Sequence, residues 1–163
     1  MARSDYYLKI DGIKGESMDE KHKDEIEILS FSFGGTNAGS GASGSGHGAG
    51  RVVVHDMHFT KQADLSSAGL YQHCVTGKHI PQAVLVVRKA GDKPLEYMKV
   101  KLSDIIVSSF QEHGAGEHNP IPNDEFTLNF AKIEFEYTKQ DQKGGAAGVA
   151  KMMYNQKANV ASA

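Results

Sequence analysis

Tryptophan is absent from this chain, and cysteine occurs once, at Cys74. A single cysteine allows no intramolecular disulfide and no cysteine-built metal site, so folding needs no oxidising compartment. Long apolar runs are missing as well. No stretch approaches the roughly 20 residues that cross a bilayer as a helix, and Met1–Ile10 has no apolar segment of the kind a secretory leader carries. Export, if it happens, is expected to use another route. There is no excess of either charge: 18 Lys and Arg against 20 Asp and Glu leave a net −2. That balance predicts neither nucleic acid nor a membrane as partner. The motifs that announce chemistry are also lacking, with no nucleophile elbow, no P-loop and no pair of carboxylates on one loop. No cofactor is expected, and the chain reads as non-enzymatic.

What is present is a β-rich pattern on a chain of one-domain length, 163 residues. Tyr6, Leu8 and Ile10 alternate with polar neighbours and predict a strand. Ile26–Phe33 predicts a second strand whose apolar set changes phase, from Ile26 and Ile28 to Leu29, Phe31 and Phe33. A one-residue phase change turns one face of a strand into the other, and a bulge or sharp bend is its usual cause. Arg51–Phe59 reads as a third strand. Gln82–Arg88 is apolar on both faces and should be covered on both. Leu95–Leu102 and Ile105–Phe110 follow, parted at Ser103 and Asp104. Gly114, Gly116, Pro120 and Pro122 make Gln111–Asp124 read as a loop. Phe126, Leu128 and Phe130 then give way to Ile133, Phe135 and Tyr137 in the opposite phase.

One helix is predicted over Asp64–Thr76. Asp64 or Ser66 can cap it, Leu70/Cys74 and Tyr71/Val75 form its apolar stripe, and Gly77 suits the left-handed residue that ends it. Strands that change face along their length suit a barrel better than a flat sheet. The expected fold is therefore mainly β: a single-domain barrel of two bent, mostly antiparallel sheets over 1–138, with one short flanking helix. Residues 34–50 form a Gly/Ser-rich extended loop within it, and 139–163 form a C-terminal tail. That tail carries four lysines against Asp141, +3 in all, which leaves −5 on the rest of the chain.

Three groups resemble active-site chemistry, and none is complete. Gly39–Gly44 matches G-x-G-x-x-G, but a strand follows it where a nucleotide site needs a helix. His55 and His58 stand three apart, on opposite faces of a strand. His113, Glu117 and His118 share a predicted loop with nothing to fix them as metal ligands. A hydrolase or metal-enzyme reading would rest on that last group. Cys74 lies on the helix stripe, where a thiol acts as a small hydrophobe.

Seven runs, in order, resemble one family. They are LKIDGIKGES at Leu8–Ser17, EIEILSFSFG at Glu25–Gly34, DMHFTK at Asp56–Lys61, GKH at Gly77–His79, VRKAG at Val87–Gly91, Leu102 through Val107–Ser109, and TLNFA at Thr127–Ala131. Together with a similar end near Tyr154 and Asn155, they resemble the hemolysin-coregulated protein family of the type VI secretion system over almost the whole chain. The family often has tryptophans beside the serine of the second run, where this chain has Phe31 and Phe33.

The resemblance implies a β-barrel with a helix on its flank. Such subunits form homohexameric rings that stack into the inner tube of a contractile machine. The tube is loaded in the bacterial cytoplasm and exported without a signal peptide, with a spike protein, a contractile sheath and small lumen-held effectors as partners. On that basis Ser30 and Ser32 are candidates for the lumen wall, because they point away from the predicted core side of their strand. Ser40, Gly41, Ala42, Ser43, Gly44, Ser45, Gly46 and His47 are candidates for a loop that bridges to a neighbouring copy. The alternative is a soluble adaptor or effector chaperone with the same barrel that does not polymerise.

Overall fold

The computed structural model describes residues 4–39, 52–91 and 94–163. Within them the order is β1 (Ser4–Ile10), β2 (Ile26–Ile28), β3 (Ser30–Ser32), β4 (Gly35–Asn37), β5 (Val52–Val54), β6 (Met57–Gln62), α1 (Ser66–Thr76), β7 (Ile80–Lys89), β8 (Glu96–Ala115), β9 (Asn119–Gln140), β10 (Ala146–Asn155) and β11 (Val160–Ser162). Every strand pairing is antiparallel. The main sheet runs β11-β10-β9-β8-β7-β1-β2, and β6 joins β9 to β3. Among the described residues no uninterrupted ladder closes the barrel. Its two ends meet through Ile26–Ser32, which pairs with β1 by its first half and with β6 by its second.

The kink between those halves is Leu29. The predicted phase change is there, but it ejects Leu29, which is 56% exposed, rather than turning it inward. Ile26 and Ile28 stay buried, and Phe31 and Phe33 pack on the core's edge. Two other strand assignments change. Residues 51–59 do not form one strand, because His55 and Asp56 separate β5 from β6. Residues 111–124, read as a loop, belong to a hairpin in which β8 and β9 pair from Ala115 and Asn119 upward. The glycines and prolines misled because only residues 116–118 turn. Pro120 and Pro122 sit at the start of β9, where a missing N–H costs least.

A second face change crosses three strands in one row. Ile80, Ile105 and Phe130 are register partners and point inward, as do Ala83, Leu102 and Ile133 on the other side of the row. Those triplets are an odd number of residues apart, so the pleat reverses between them. The ladders omit the Pro81/Asp104 and Asp104/Ala131 pairs at the crease. Asp104 adopts φ 53°, a left-handed conformation that aspartate tolerates better than most residues. Each strand makes the same adjustment, so the register on both sides of the crease is unchanged.

The segment after Lys139 is anchored at this crease. β10 and β11 extend the main sheet beside β9. Gln156 donates from its backbone to Ala131 O and from Nε2 to Phe130 O, each at 2.7 Å. Lys157 pairs with Asp104, which also bonds His79 Nδ1 at 2.9 Å. The Lys157 hydrogen bond first, and then the His79 bond, hold the Asp104 carboxyl below the usual range.

α1 starts two residues later than predicted. Asp64 Oδ1 accepts the Ser66 N–H at 2.8 Å, and Gly77 (φ 65°) closes the helix by donating to His73 O. Leu70 is buried and Cys74 packs against the core, but Tyr71 and Val75 are more than half exposed, so the apolar stripe is one residue wide. Tyr71 instead stacks on Phe110 at 5.3 Å. Beneath α1, Lys61 and Asp124 are opposed on β6 and β9 and fully buried. Lys61 Nζ reaches Asp124 Oδ2 at 2.7 Å, Asp64 Oδ1 at 2.8 Å, Ser67 Oγ at 3.1 Å and Gln62 O at 3.2 Å.

The second face of β7 is half-buried at Val84 and buried at Val86 and Arg88, beside the chain's own connection between β1 and β2. There His22 stacks on Tyr7, the register partner of Val86, with ring centroids 4.5 Å apart. His22 Nδ1 lies 2.8 Å from Glu25 Oε2, and Nε2 lies 2.8 Å from Glu96 Oε1. Arg88 donates to Asp19 by both terminal nitrogens and to Tyr7 Oη at 3.0 Å. Gly15 lets the two ends of this connection close on each other at the start of β2: a Cβ there would sit 2.5 Å from Glu25 O.

Candidate functional site

The outward face of β3, β6, β9 and β8 forms a polar wall, built by alternation. Along β6, Met57, Phe59 and Lys61 point in, so His58 and Thr60 point out. Along β9, Asp124, Phe126 and Leu128 point in, so Glu125, Thr127 and Asn129 point out. Register then sets two rows across the sheet: Ser32, His58, Thr127 and Ser109; and Ser30, Thr60, Glu125 and Gln111. The sequence candidates Ser30 and Ser32 are exposed members of this wall. Behind it, Phe59 stacks on Phe126 at 5.1 Å and gives it a rigid backing.

The rows are tied by hydroxyl contacts. Ser30 Oγ hydrogen-bonds Thr60 Oγ1. A register shift between Val107 and Ser109 adds Ser108 to the wall, so both serines reach Thr127 Oγ1, at 2.7 and 2.6 Å. Such a bulge aims an extra side chain at one face. Asp56, in the gap between β5 and β6, accepts from Ser108 Oγ at 2.6 Å and from Asn129 Nδ2 at 2.8 Å. Glu125 accepts from His113 Nε2 at 3.1 Å. His58 Nε2 stands 3.6 Å from its other oxygen, too far for a hydrogen bond. No lysine or arginine belongs to either row.

Both sides of this patch are unpaired. Among the described residues, β3 pairs with β6 alone, and no strand pairs with the outer edge of β8 beyond Ile105. Free strand edges are templates for another chain. A separate apolar groove of about 440 Å³ lies between the β4–β5 hairpin and the C-terminal strands, lined by Phe33, Val52, Val54, Phe135, Met152 and Tyr154 among others.

The other sequence candidates are not drawn together. His55 sits in the β5–β6 gap and donates its N–H to Gly34 O, and His58 belongs to the wall. His113 bonds Glu125, whereas Glu117 and His118 occupy the hairpin turn. Among the described residues no three His, Cys, Asp or Glu side chains form a metal-holding group. His73 bonds Gly69 O and His79 bonds Asp104, so neither is positioned as a base for Cys74. Ser40–His47 and most of the Gly39–Gly44 motif lie outside the described residues. The reading of Gln111–Asp124 as a loop hid Gln111, His113 and the strand context of Glu125. Gln111, Glu112 and His113 are alike polar and exposed, so no alternation marked them. Among the described residues no helix is long and apolar enough to cross a membrane.

Comparison with known proteins gives a consistent set of likenesses. The family model described as type VI secretion system effector, Hcp, matches residues 7–137. The protein hcp1 of Pseudomonas aeruginosa is 42% identical over 158 residues, covering 96% of this chain and 97% of that one. Among solved structures, one described as a type six secretion system protein superposes with a TM-score of 0.91 at 31% identity, over 98% of this chain and all of the other. Hcp1 from Salmonella typhimurium superposes with a TM-score of 0.79 at 38% identity, over 99% and 100%.

Proposed function

Because the chain belongs to the Hcp family of type VI secretion proteins, we propose that it is the repeating subunit of the secretion tube, with the polar wall facing the lumen of a six-membered ring. The observation that carries this reading is a four-stranded patch, polar outside and apolar behind, whose two edges are both unpaired among the described residues. A self-complementary sheet would make a two-fold dimer. An edge of one kind at each side favours head-to-tail addition, which closes into a ring when the rotation allows. The polar faces then line one continuous wet surface. The apolar groove beside β4 and β5 supplies a side contact to the next copy, and Ser40–His47 is assigned to bridging between copies. Stacked rings, exported with a spike and driven by a sheath, complete the proposal, and small effectors are its lumen cargo.

Electron microscopy of the purified protein, with light-scattering mass on the same sample, tests the ring. Six-membered rings with open centres are expected, and a monomer at every concentration overturns the reading. The orientation of the wall has its own test, since the chain contains no tryptophan. Ser32→Trp places the sole indole on the wall. Acrylamide should quench it in the ring, and a polymer-bound quencher too large for the lumen should not. Equal quenching by both places Ser32 outside.

A further inference from the structure

The two wall rows contain one carboxylate, Glu125, and no ammonium or guanidinium. Its side chain is 40% exposed. His113 holds one oxygen at 3.1 Å from Nε2, while the other, with His58 at 3.6 Å, makes no hydrogen bond within the described residues. That arrangement fixes the carboxylate and leaves lone pairs turned outward. Among the described residues no lysine or arginine pairs with it. Thr60 and Gln111 are its register partners; the hydroxyls of Ser30 and Thr60 are paired with each other, and those of Ser108, Ser109 and Thr127 among themselves or with Asp56. Asp56 differs: both its oxygens are occupied, by Ser108 and Asn129.

We propose that Glu125 is the specificity point of the wall and selects cargo by accepting a lysine or arginine side chain from a polypeptide in the lumen. The proposal rests on the lumen reading above. Charge complementarity is its ground: an outward carboxylate on a cation-free wall gains a charge-assisted hydrogen bond from a basic group and repels an acidic one. Repetition around a ring multiplies the preference, because one extended chain meets several copies. His113 acts as a positioning residue, since it orients the carboxylate through a bond of its own.

The test uses assembled rings and two dye-labelled peptides, one alternating Lys and Ser, the other alternating Glu and Ser, with binding read by fluorescence anisotropy at low salt. Wild-type rings should bind the lysine peptide at least about tenfold more tightly, with the preference shrinking as salt is raised. Glu125→Gln should abolish the preference while microscopy still shows rings. Glu16→Gln removes the same charge from outside the wall and should leave the preference intact. His113→Gln keeps the carboxylate and should reduce the preference without removing it. Equal binding of both peptides by wild-type rings overturns the proposal while leaving the ring reading standing, and so does a preference that survives Glu125→Gln. Absence of rings in the wild type overturns both.

Discussion

Among the described residues one lysine and one arginine are buried, and the molecule treats them differently. Lys61 lies in the core under α1, with no exposed surface. It meets two carboxylates, a hydroxyl and a carbonyl. Arg88 lies on the opposite side of the sheet, under the β1–β2 connection, and its partners Asp19 and Asp5 retain 24% and 34% exposure. Ionised groups in low dielectric are tolerated only when paired. Both sites obey this, but the Lys61 site joins β6, β9 and the start of α1 into one unit, while the Arg88 site fastens a connection onto a finished sheet. Burial raises the Tyr7 hydroxyl beside Arg88, only partly offset by the guanidinium charge. At Glu96, burial pushes the carboxyl up, but the hydrogen bond and charge of His22, with Lys99, outweigh it and leave a net lowering. The lesson is that a buried charge can hold the fold itself or only a covering loop, and its partners' exposure tells which.

The sharpest way to break that contrast is Lys61→Met. It strands Asp124, and the expected loss is about 3–5 kcal/mol of global stability, read by urea unfolding. Adding Asp124→Leu should recover most of it. A loss below about 1 kcal/mol for the single change would mean that water relieves the site and that the two cations are alike.

A smaller and local effect is expected from acid. The Arg88 hydrogen bond, working against burial, lowers the Asp19 carboxyl from 3.8 to about 2. Because the folded value is depressed, this contact stabilises fully above pH 4 and is lost as pH falls toward 2. Amide exchange in Ser17–Asp24 should therefore accelerate across that window before the barrel unfolds, and Arg88→Met should show the fast exchange already at pH 5. Exchange that changes only with global unfolding would put Arg88 in the same class as Lys61.

The smallest effect is expected at the crease. Asp104→Asn keeps a residue that tolerates φ 53° but removes the charge that Lys157 and His79 share. Proteolysis within 156–163 should quicken, with the urea midpoint unchanged. An unchanged cleavage rate would assign the anchoring of this segment to Gln156 alone.

Much of the fold was legible because strands with one buried face announce themselves by alternation, as in Phe126–Phe130. Both phase changes were also visible, at Leu29 and between Phe130 and Ile133. The outcome at Leu29 was not. Whether Leu29 turns in or out depends on which strands flank it, and that is a tertiary fact. Exposed Tyr71 and Val75 carry the same ambiguity, since helical spacing marks a stripe but not its width. Ser30 and Ser32 could be placed on a face by parity alone. The wall around them could not, because His58, Glu125 and Ser109 come from strands far apart in sequence and meet only through register. Residues 139–163 gave no periodic signal: β10 carries Ala146–Met152 in exposed positions, so no buried face imposes alternation.

The crease at Pro81, Asp104 and Ala131 constrains how this chain can change over time. Inward and outward positions on either side of it are matched by parity, and three strands share the same count. Losing or gaining one residue near the row in β7 alone would turn half of that strand inside out against neighbours that had not moved. Compensation would require the same event in β8 and β9 together, or an offset within the same strand. Length variation should therefore be excluded from these three strands and tolerated in the connections, so that relatives of this protein keep one spacing here even where every side chain differs.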